Sequence, residues 1–513
     1  MENNWLIELE KIFGQENVST EESAVREKSL DCWPRNLFLT FRHRKSGSGR
    51  FSTAAAIVKA EHNYYLYQIK ELVHWAKRHD KKIIVRGGGS GVCGAANAAG
   101  GEIILDTTNL NKMELISRPD KLQPGVVMVE SGVFGDKLDN FLKNLGLTCG
   151  HYPASLNVST VGGWVSTGAS GQYSFYFGNI ENIVQAVEGI NGLAEIVRLE
   201  GDKLKKVLRM EGTTLIITKV WLKVVGIPAH NLFQSFQFNR SEDLANFLRV
   251  LPYWRNQLAL TGIKFYSVRA YDYLDFNFIS QPHRGNSPKP RWLEKAIFLA
   301  EKQVSRFGQK LEKIVENLEK RRSAPWTCLT CLASDDSKAL TEGAAKVEQA
   351  AKNSHGRIID PTLAQTWHEN RFKLSYEKIT KRFQSGLIVD TFDCRPYWYK
   401  VAESYQLIRH KFFEHGLVGA HFGLDLDQPY IYFTFAFPAT NKEKYDQVCR
   451  EVLDLCAKNF IFTTHHHGIG QAKRGLAGTL TTYAYGVPWL KDTALSAKKE
   501  LDPDNIFNPA NNF

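Results

Sequence analysis

Apolar positions in the first half of the chain switch between two periods. In YYLYQIKELVHWAKRHD, residues 64–80, Leu66, Ile69, Leu72, Val73 and Ala76 recur at steps of three and four, the spacing of one helical face. KKIIV follows as a short strand running into three glycines, and EIILDT (102–107) and GVVMVESGV (125–133) read as further strands. DKLDNFLKNLG, residues 136–146, is again helical and stops on a glycine suited to a C-cap. KVWLKVV (219–225) reads as a closing strand. Beyond it the pattern restarts with strand-like FQSFQF, a helix around SEDLANFLRVL, the strong strand PYIYFTFAF (429–437) and helical NKEKYDQVCREVLDLCAKN. The expectation is an α+β protein in three stretches. Residues 1–228 form one domain with its core from about residue 50, residues 229–440 a second with an antiparallel sheet, and residues 441–513 a C-terminal helical segment.

Composition narrows the class. Of 513 residues, 43% are hydrophobic and 23% charged, which excludes a disordered or collagen-like chain. No apolar run approaches the ~18–20 residues that span a bilayer, and the acidic start MENNWLIELEKIF is no secretory signal, so a cytoplasmic location is expected. Eight cysteines without a regular framework read as reduced thiols, and Cys328 and Cys331 as a buried pair in an apolar strand. Charge is less ordinary: 65 Lys+Arg against 54 Asp+Glu gives +11, which suits an anionic partner. Residues 281–325 hold eleven Lys/Arg and five Glu, and Val304, Phe307, Leu311, Ile314 and Leu318 form a stripe within them. That pattern predicts a basic amphipathic helix about 291–322, either a solvated surface helix or one facing lipid.

Three segments are candidates for chemistry. In RGGGSG, the glycines let the backbone approach an anion closely, although the spacing fits neither a P-loop nor a Rossmann fingerprint. A tight turn explains the same cluster. The second, PASLNVSTVGGWVSTGASG, interleaves glycines with small hydroxyls that can hydrogen-bond the rim of a flat heterocycle. Two such segments about 70 residues apart fit the two ends of one dinucleotide. Third, Thr464-His465-His466-His467-Gly468-Ile469-Gly470 holds three adjacent histidines, whose side chains diverge on any regular element. They suit proton transfer better than joint metal ligation, and no metal site is expected.

RGGGSG, PASLNVSTVGGW…STGASG…FGNIENIV and EGTTLIIT together resemble the FAD-binding domain of the vanillyl-alcohol oxidase, or PCMH-type, flavoproteins. Within that superfamily HHHGIG resembles the alkyldihydroxyacetonephosphate synthase family, which makes the ether bond of ether lipids. The likeness runs from near Asp31 to the tail. It implies a two-part PCMH-type FAD-binding domain, an α+β substrate (cap) domain, and FAD as cofactor. Arg86, Gly87, Gly88, Gly89, Ser90 and Gly91 are then expected at the pyrophosphate. Pro153, Ser155, Thr160, Gly162, Gly163, Ser166, Ser170 and Gly171 are expected along the flavin and adenosine, with Glu211, Gly212 and Thr213. Ser90 stands where some relatives tether the flavin through histidine, so noncovalent FAD is implied.

The resemblance also places Tyr432, His466 and His467 in proton transfer, Arg382 beside a departing carboxylate, and His465 and Lys264 in substrate binding. Taken alone, Tyr432 reads first as a core strand aromatic and Arg382 as a surface helix residue, while His421 is either a further polar residue near the site or a core or loop histidine. Gly168, Lys264 and Leu215 depart from the family's pattern, standing where arginine, arginine and glycine are usual. The implied reaction exchanges the acyl group of acyl-dihydroxyacetone phosphate for a fatty alcohol through a flavin N5 adduct. The alternatives are an FAD-dependent 2-hydroxyacid or alcohol dehydrogenase or oxidase, and a non-catalytic flavin-binding protein at membranes. The expected partner is a phosphorylated lipid precursor rather than nucleic acid; a peripheral membrane position and a homodimer are compatible with it.

Overall fold

The helix expected after residue 64 runs Tyr65–Arg78 and buries Ile69, Leu72, Val73 and Ala76, the face its periodicity marks out. It packs on short strands whose side chains are inside on both faces, as in Ile103–Asp106, where all four residues are buried. The computed structural model describes residues 4–40, 53–61, 63–120, 123–279, 312–314, 316–318, 324–373, 376–440, 442–474 and 490–511. The basic helix expected about 291–322 lies outside these, apart from two short helical pieces at 312–314 and 316–318. Among the described residues no helix is long and apolar enough to cross a membrane.

Two units divide the chain, one comprising Met1–Gly171, Asn179–Ile227 and His466–Phe513, the other Gln172–Gly178 and Pro228–His465. The C-terminal segment is therefore shared out, with His465 assigned to the second unit and His466 to the first.

In the first unit, one sheet has the order Val18–Ser19, Ala56–Lys59, Ile103–Asp106, Ile83–Arg86, its last three strands parallel. The tail joins it: Ile83 N–H donates to Ile506 O and Asn508 N–H to Ile83 O, both at 2.9 Å. Phe507 is buried in the same core as Ile69, Trp75 and Leu105. A second, antiparallel sheet runs Met113–Ser117, Gly125–Glu130, Ile216–Gly226, Val184–Ile190, Ile196–Glu200, with Leu147–Thr148 paired to the end of its long strand. The expected helix is Gly135–Lys143, and Gly146 takes φ 73°, the left-handed stop its glycine permits.

The second unit is built on a seven-stranded antiparallel sheet. Its order is Arg357–Ile359, His230–Phe238, Trp326–Ser334, Lys264–Tyr271, Leu417–Asp425, Gln428–Pro438, Leu387–Cys394. Alternation along Gln428–Pro438 separates two faces: Ile431, Phe433, Phe435 and Phe437 are buried, while Tyr432 and Thr434 between them are partly open. The buried face lies under helix Val401–Phe413, where Phe412 stacks on Phe435 at 4.3 Å and Tyr405 on Phe433 at 6.2 Å. Tyr432 is on the other face. Cys328 and Cys331 are both buried as free thiols on Trp326–Ser334, three positions apart and so on opposite faces.

Candidate active site

The two glycine-rich segments are pressed together in the first unit. A Cβ on Gly87 would stand 2.2 Å from Thr160 Oγ1, and one on Gly88 would stand 2.1 Å from the Val158 carbonyl oxygen. Neither position has room for any other residue. Gly89, at φ 65°, turns the chain over the Arg86 side chain, whose guanidinium lies where a Cβ would go. Arg86 is buried, donates from Nη1 to Leu30 O at 3.0 Å, and has no hydrogen-bond partner at Nε among the described residues. Its neighbour Asp31 is buried as well, and burial, against the Trp33 N–H and the Arg86 charge, pushes its carboxyl up to about 7. Thr160 caps helix Val161–Thr167 by accepting from Gly163 N–H. Gly162 lies against Ser131, and Gly171 against the backbone of Tyr152.

Buried polar atoms without partners mark the same region. Both ring nitrogens of His151, which is 1% exposed, lack one among the described residues, as do Ser170 Oγ and Ser131 Oγ. The His151 ring packs on Trp164 at 4.8 Å, and burial pushes its pKa down to about 3, so it is neutral at physiological pH. Orphaned donors and acceptors beside these closely packed segments fit a flat, polar group held against them. FAD is such a group. Sequence reasoning passed over His151, although it directly precedes the Tyr152-Pro153 start of the second segment.

Glu211 holds a loop far from it in the chain. Its carboxylate accepts Ile469 N–H at 2.5 Å and Gly470 N–H at 2.9 Å, and its own backbone is left-handed at φ 51°. Gly468 and Gly470 also have positive φ, 80° and 50°, and Cys93 O accepts from Ala472 N–H at 2.9 Å. The loop after His467 is thus held from two sides. Asn508 completes the arrangement, donating to Glu211 O and accepting Val85 N–H, both at 2.8 Å. Among the other expected cofactor residues, Gly212 has φ 71°, Thr213 turns its hydroxyl to Met210 O at 2.6 Å, and Ser166 O accepts Glu211 N–H at 2.8 Å. Ser155 O accepts Val158 N–H and Ser159 N–H, closing the turn after Pro153.

Tyr432 belongs to the second unit and sits in a row crossing four strands. Register pairs Tyr271 with His421, His421 with Tyr432, and Tyr432 with Asp393. The His421 and Tyr432 rings stack, 4.8 Å apart and 21° from parallel. His421 Nδ1 lies 2.9 Å from Asp275 Oδ2, whose side chain is fully buried. Burial pushes the Tyr432 phenol well above its usual range, and the Asp393, Asp390 and Asp275 carboxylates add to this against a hydrogen bond with Thr391. Tyr432 therefore carries its proton at neutral pH.

His465 extends the polar row. Its N–H donates to Asp393 Oδ2 at 2.8 Å, its Nε2 is 3.4 Å from Asp425 Oδ2, and its ring stacks on Tyr430 at 4.2 Å. His466 and His467 fall in the first unit, their rings 4.5 Å apart and 72° from parallel. Arg382 is exposed on helix Tyr376–Gln384. Lys264 begins the strand that Tyr271 ends, about 24 Å away at ~3.4 Å per residue, so it does not join the row.

Known proteins resemble the chain along most of its length. Residues 55–200 match the FAD binding domain model and residues 296–512 the model for the C-terminal domain of FAD linked oxidases. The alkyldihydroxyacetonephosphate synthase of Caenorhabditis elegans is 26% identical over 483 residues, covering 88% of this chain and 74% of the relative. A solved alkyldihydroxyacetonephosphate synthase superposes with a TM-score of 0.71 at 18% identity, covering 98% of this chain and 84% of that one. Substrate-bound p-cresol methylhydroxylase gives 0.71 at 16% identity, over 99% of this chain and 96% of that one. The chain is an FAD-dependent flavoprotein of the PCMH-type architecture, similar to the alkyldihydroxyacetonephosphate synthases.

Proposed function

We propose that this enzyme exchanges the acyl group of an acyl-dihydroxyacetone phosphate for a fatty alcohol, forming an ether lipid precursor. In that exchange the carbon–oxygen bond to the fatty acid breaks and one to the alcohol forms; the alcohol's proton leaves with the acid, and no oxidant is consumed. FAD, bound noncovalently, supplies a flavin ring able to take up and return the electron pair at the substrate carbon. The chain's own residues handle protons and charge. Tyr432, its phenol among Asp390, Asp393 and Asp275, acts with His466 and His467 in moving the proton at the substrate carbon. His466 and His467 accept the alcohol's proton, Arg382 orients the carboxylate, and His465 and Lys264 bind substrate. A phosphorylated lipid as partner accords with the net charge of +11, and with a position at a membrane surface.

The observation that carries this reading is the Glu211 clamp on the loop after His467, which fixes a histidine-bearing turn within the FAD-binding unit. The match to the C-terminal domain of FAD linked oxidases favours a second reading, dehydrogenation of a 2-hydroxyacid or alcohol. Anaerobic mixing separates the two. Fatty acid released from acyl-dihydroxyacetone phosphate with no electron acceptor supports the exchange; flavin bleaching by lactate or glycolate overturns it.

A further inference from the structure

We propose that His421 and Asp275 form a positioning dyad that sets the orientation of the Tyr432 phenol. The inference rests on the reading that Tyr432 acts in proton transfer. Its geometry lies wholly within the substrate unit.

His421 faces Tyr432 directly across two antiparallel strands, and their rings are near-parallel at 4.8 Å, so the imidazole limits rotation of the phenol. Asp275, 2.9 Å from Nδ1, makes that nitrogen the proton-bearing one and fixes the ring plane, leaving the lone pair on Nε2. Burial lowers the pKa of His421, with the Asp275 contact opposing this, so the ring acts in its neutral form.

Asp272 builds the dyad into the fold. One oxygen accepts Asp275 N–H at 2.7 Å; the other accepts Ala420 N–H at 2.9 Å and the Tyr405 hydroxyl at 3.0 Å. Ala420 is the residue before His421, so one buried carboxylate holds the backbone beside both partners. A core histidine needs a hydrogen bond, but it does not need a carboxylate on one side, an aromatic reaction partner on the other and a second carboxylate fastening the assembly. Nothing in the sequence links these residues, since Asp275 and His421 are 146 positions apart.

Asp275→Asn, His421→Asn and Tyr432→Phe, singly and in pairs, test the dyad in the FAD-loaded full chain. Asp275→Asn is expected to lower kcat by ten- to a hundred-fold with KM changed less than two-fold. In the Tyr432→Phe background the same substitution should lower the residual rate less than two-fold, because its effect passes through the missing hydroxyl. An equal loss in both backgrounds would overturn the proposal. Proton NMR supplies a readout independent of turnover: a far-downfield His421 Nδ1–H resonance should be present in the parent and absent from Asp275→Asn. If it is absent from the parent, the dyad fails. If Tyr432→Phe is fully active while that resonance is present, the catalytic reading of Tyr432 fails instead, and the positioning role falls with it. Should Asp275→Asn not fold, His421→Gln replaces it in the same cycle.

Discussion

The Glu211 carboxylate accepts the backbone N–H groups of Ile469 and Gly470, tying its own turn to the loop that follows His467. The carboxylate is buried, and burial raises its pKa against the pull of Arg474 and the two amides. Removing it leaves two buried donors unpaired, at about 1–3 kcal/mol each.

Glu211→Ala should therefore free the loop, and turnover should fall at least a hundred-fold, with a milder loss in Glu211→Gln, which keeps one acceptor oxygen. Hydrogen exchange checks the cause: amides of the 464–474 segment should exchange faster in Glu211→Ala. Unchanged protection would show that the loop is held by other contacts.

Gly88→Ala should expel FAD. Its methyl group would collide with the Val158 carbonyl at 2.1 Å, and the obstacle is backbone, so the two glycine-rich segments must separate. We expect protein purified without flavin absorbance and at least a hundred-fold weaker FAD uptake. Gly146→Ala is the control, since nothing stands within 4 Å and only its φ of 73° is strained; that variant should retain FAD at a cost of about 1 kcal/mol in stability.

His467→Ala should abolish turnover while the flavin spectrum persists, because the residue lies beyond the glycine-rich segments in the chain and its loop is fastened through backbone atoms. Full activity would make the histidine run structural.

Asp31 predicts a pH effect on stability. Its carboxyl titrates near 7 in the folded protein against 3.8 as the ordinary value, so the folded state holds the extra proton. Its contribution is complete below about pH 4 and is lost as pH rises toward 7, by on the order of a few kcal/mol. Asp31→Asn, which keeps the acceptor for Trp33 N–H, should remove that slope: the apoprotein Tm of the variant should gain on the parent between pH 5 and 8. Parallel Tm curves would contradict the burial of an ionisable Asp31.

Much of this was legible before the fold was known. Leu72 and Val73 announced a buried helical face and PYIYFTFAF a strand, because both are local patterns, whereas the separation of Tyr432 from the Phe face came with the fold. Glycine clusters pointed to close approach but could not name what approached: Val158 and Thr160 stand about 70 residues away in the chain. His151 gave little sign, since a lone histidine before Tyr-Pro has no pattern, and its lack of partners is visible only in three dimensions. The Asp275–His421 contact was invisible for the same reason. Glu211 stood out in the sequence, but its hold on the loop did not: its motif is local, whereas the amides it binds come from residues 469 and 470.

The most direct test of the whole account is a single-turnover experiment under anaerobic conditions, with FAD-loaded protein, acyl-dihydroxyacetone phosphate and a long-chain alcohol, and no electron acceptor. The account predicts equal amounts of fatty acid and ether product, with the flavin spectrum returning to its oxidised form. Product that appears only when an electron acceptor is supplied, with the flavin left reduced in its absence, would contradict it.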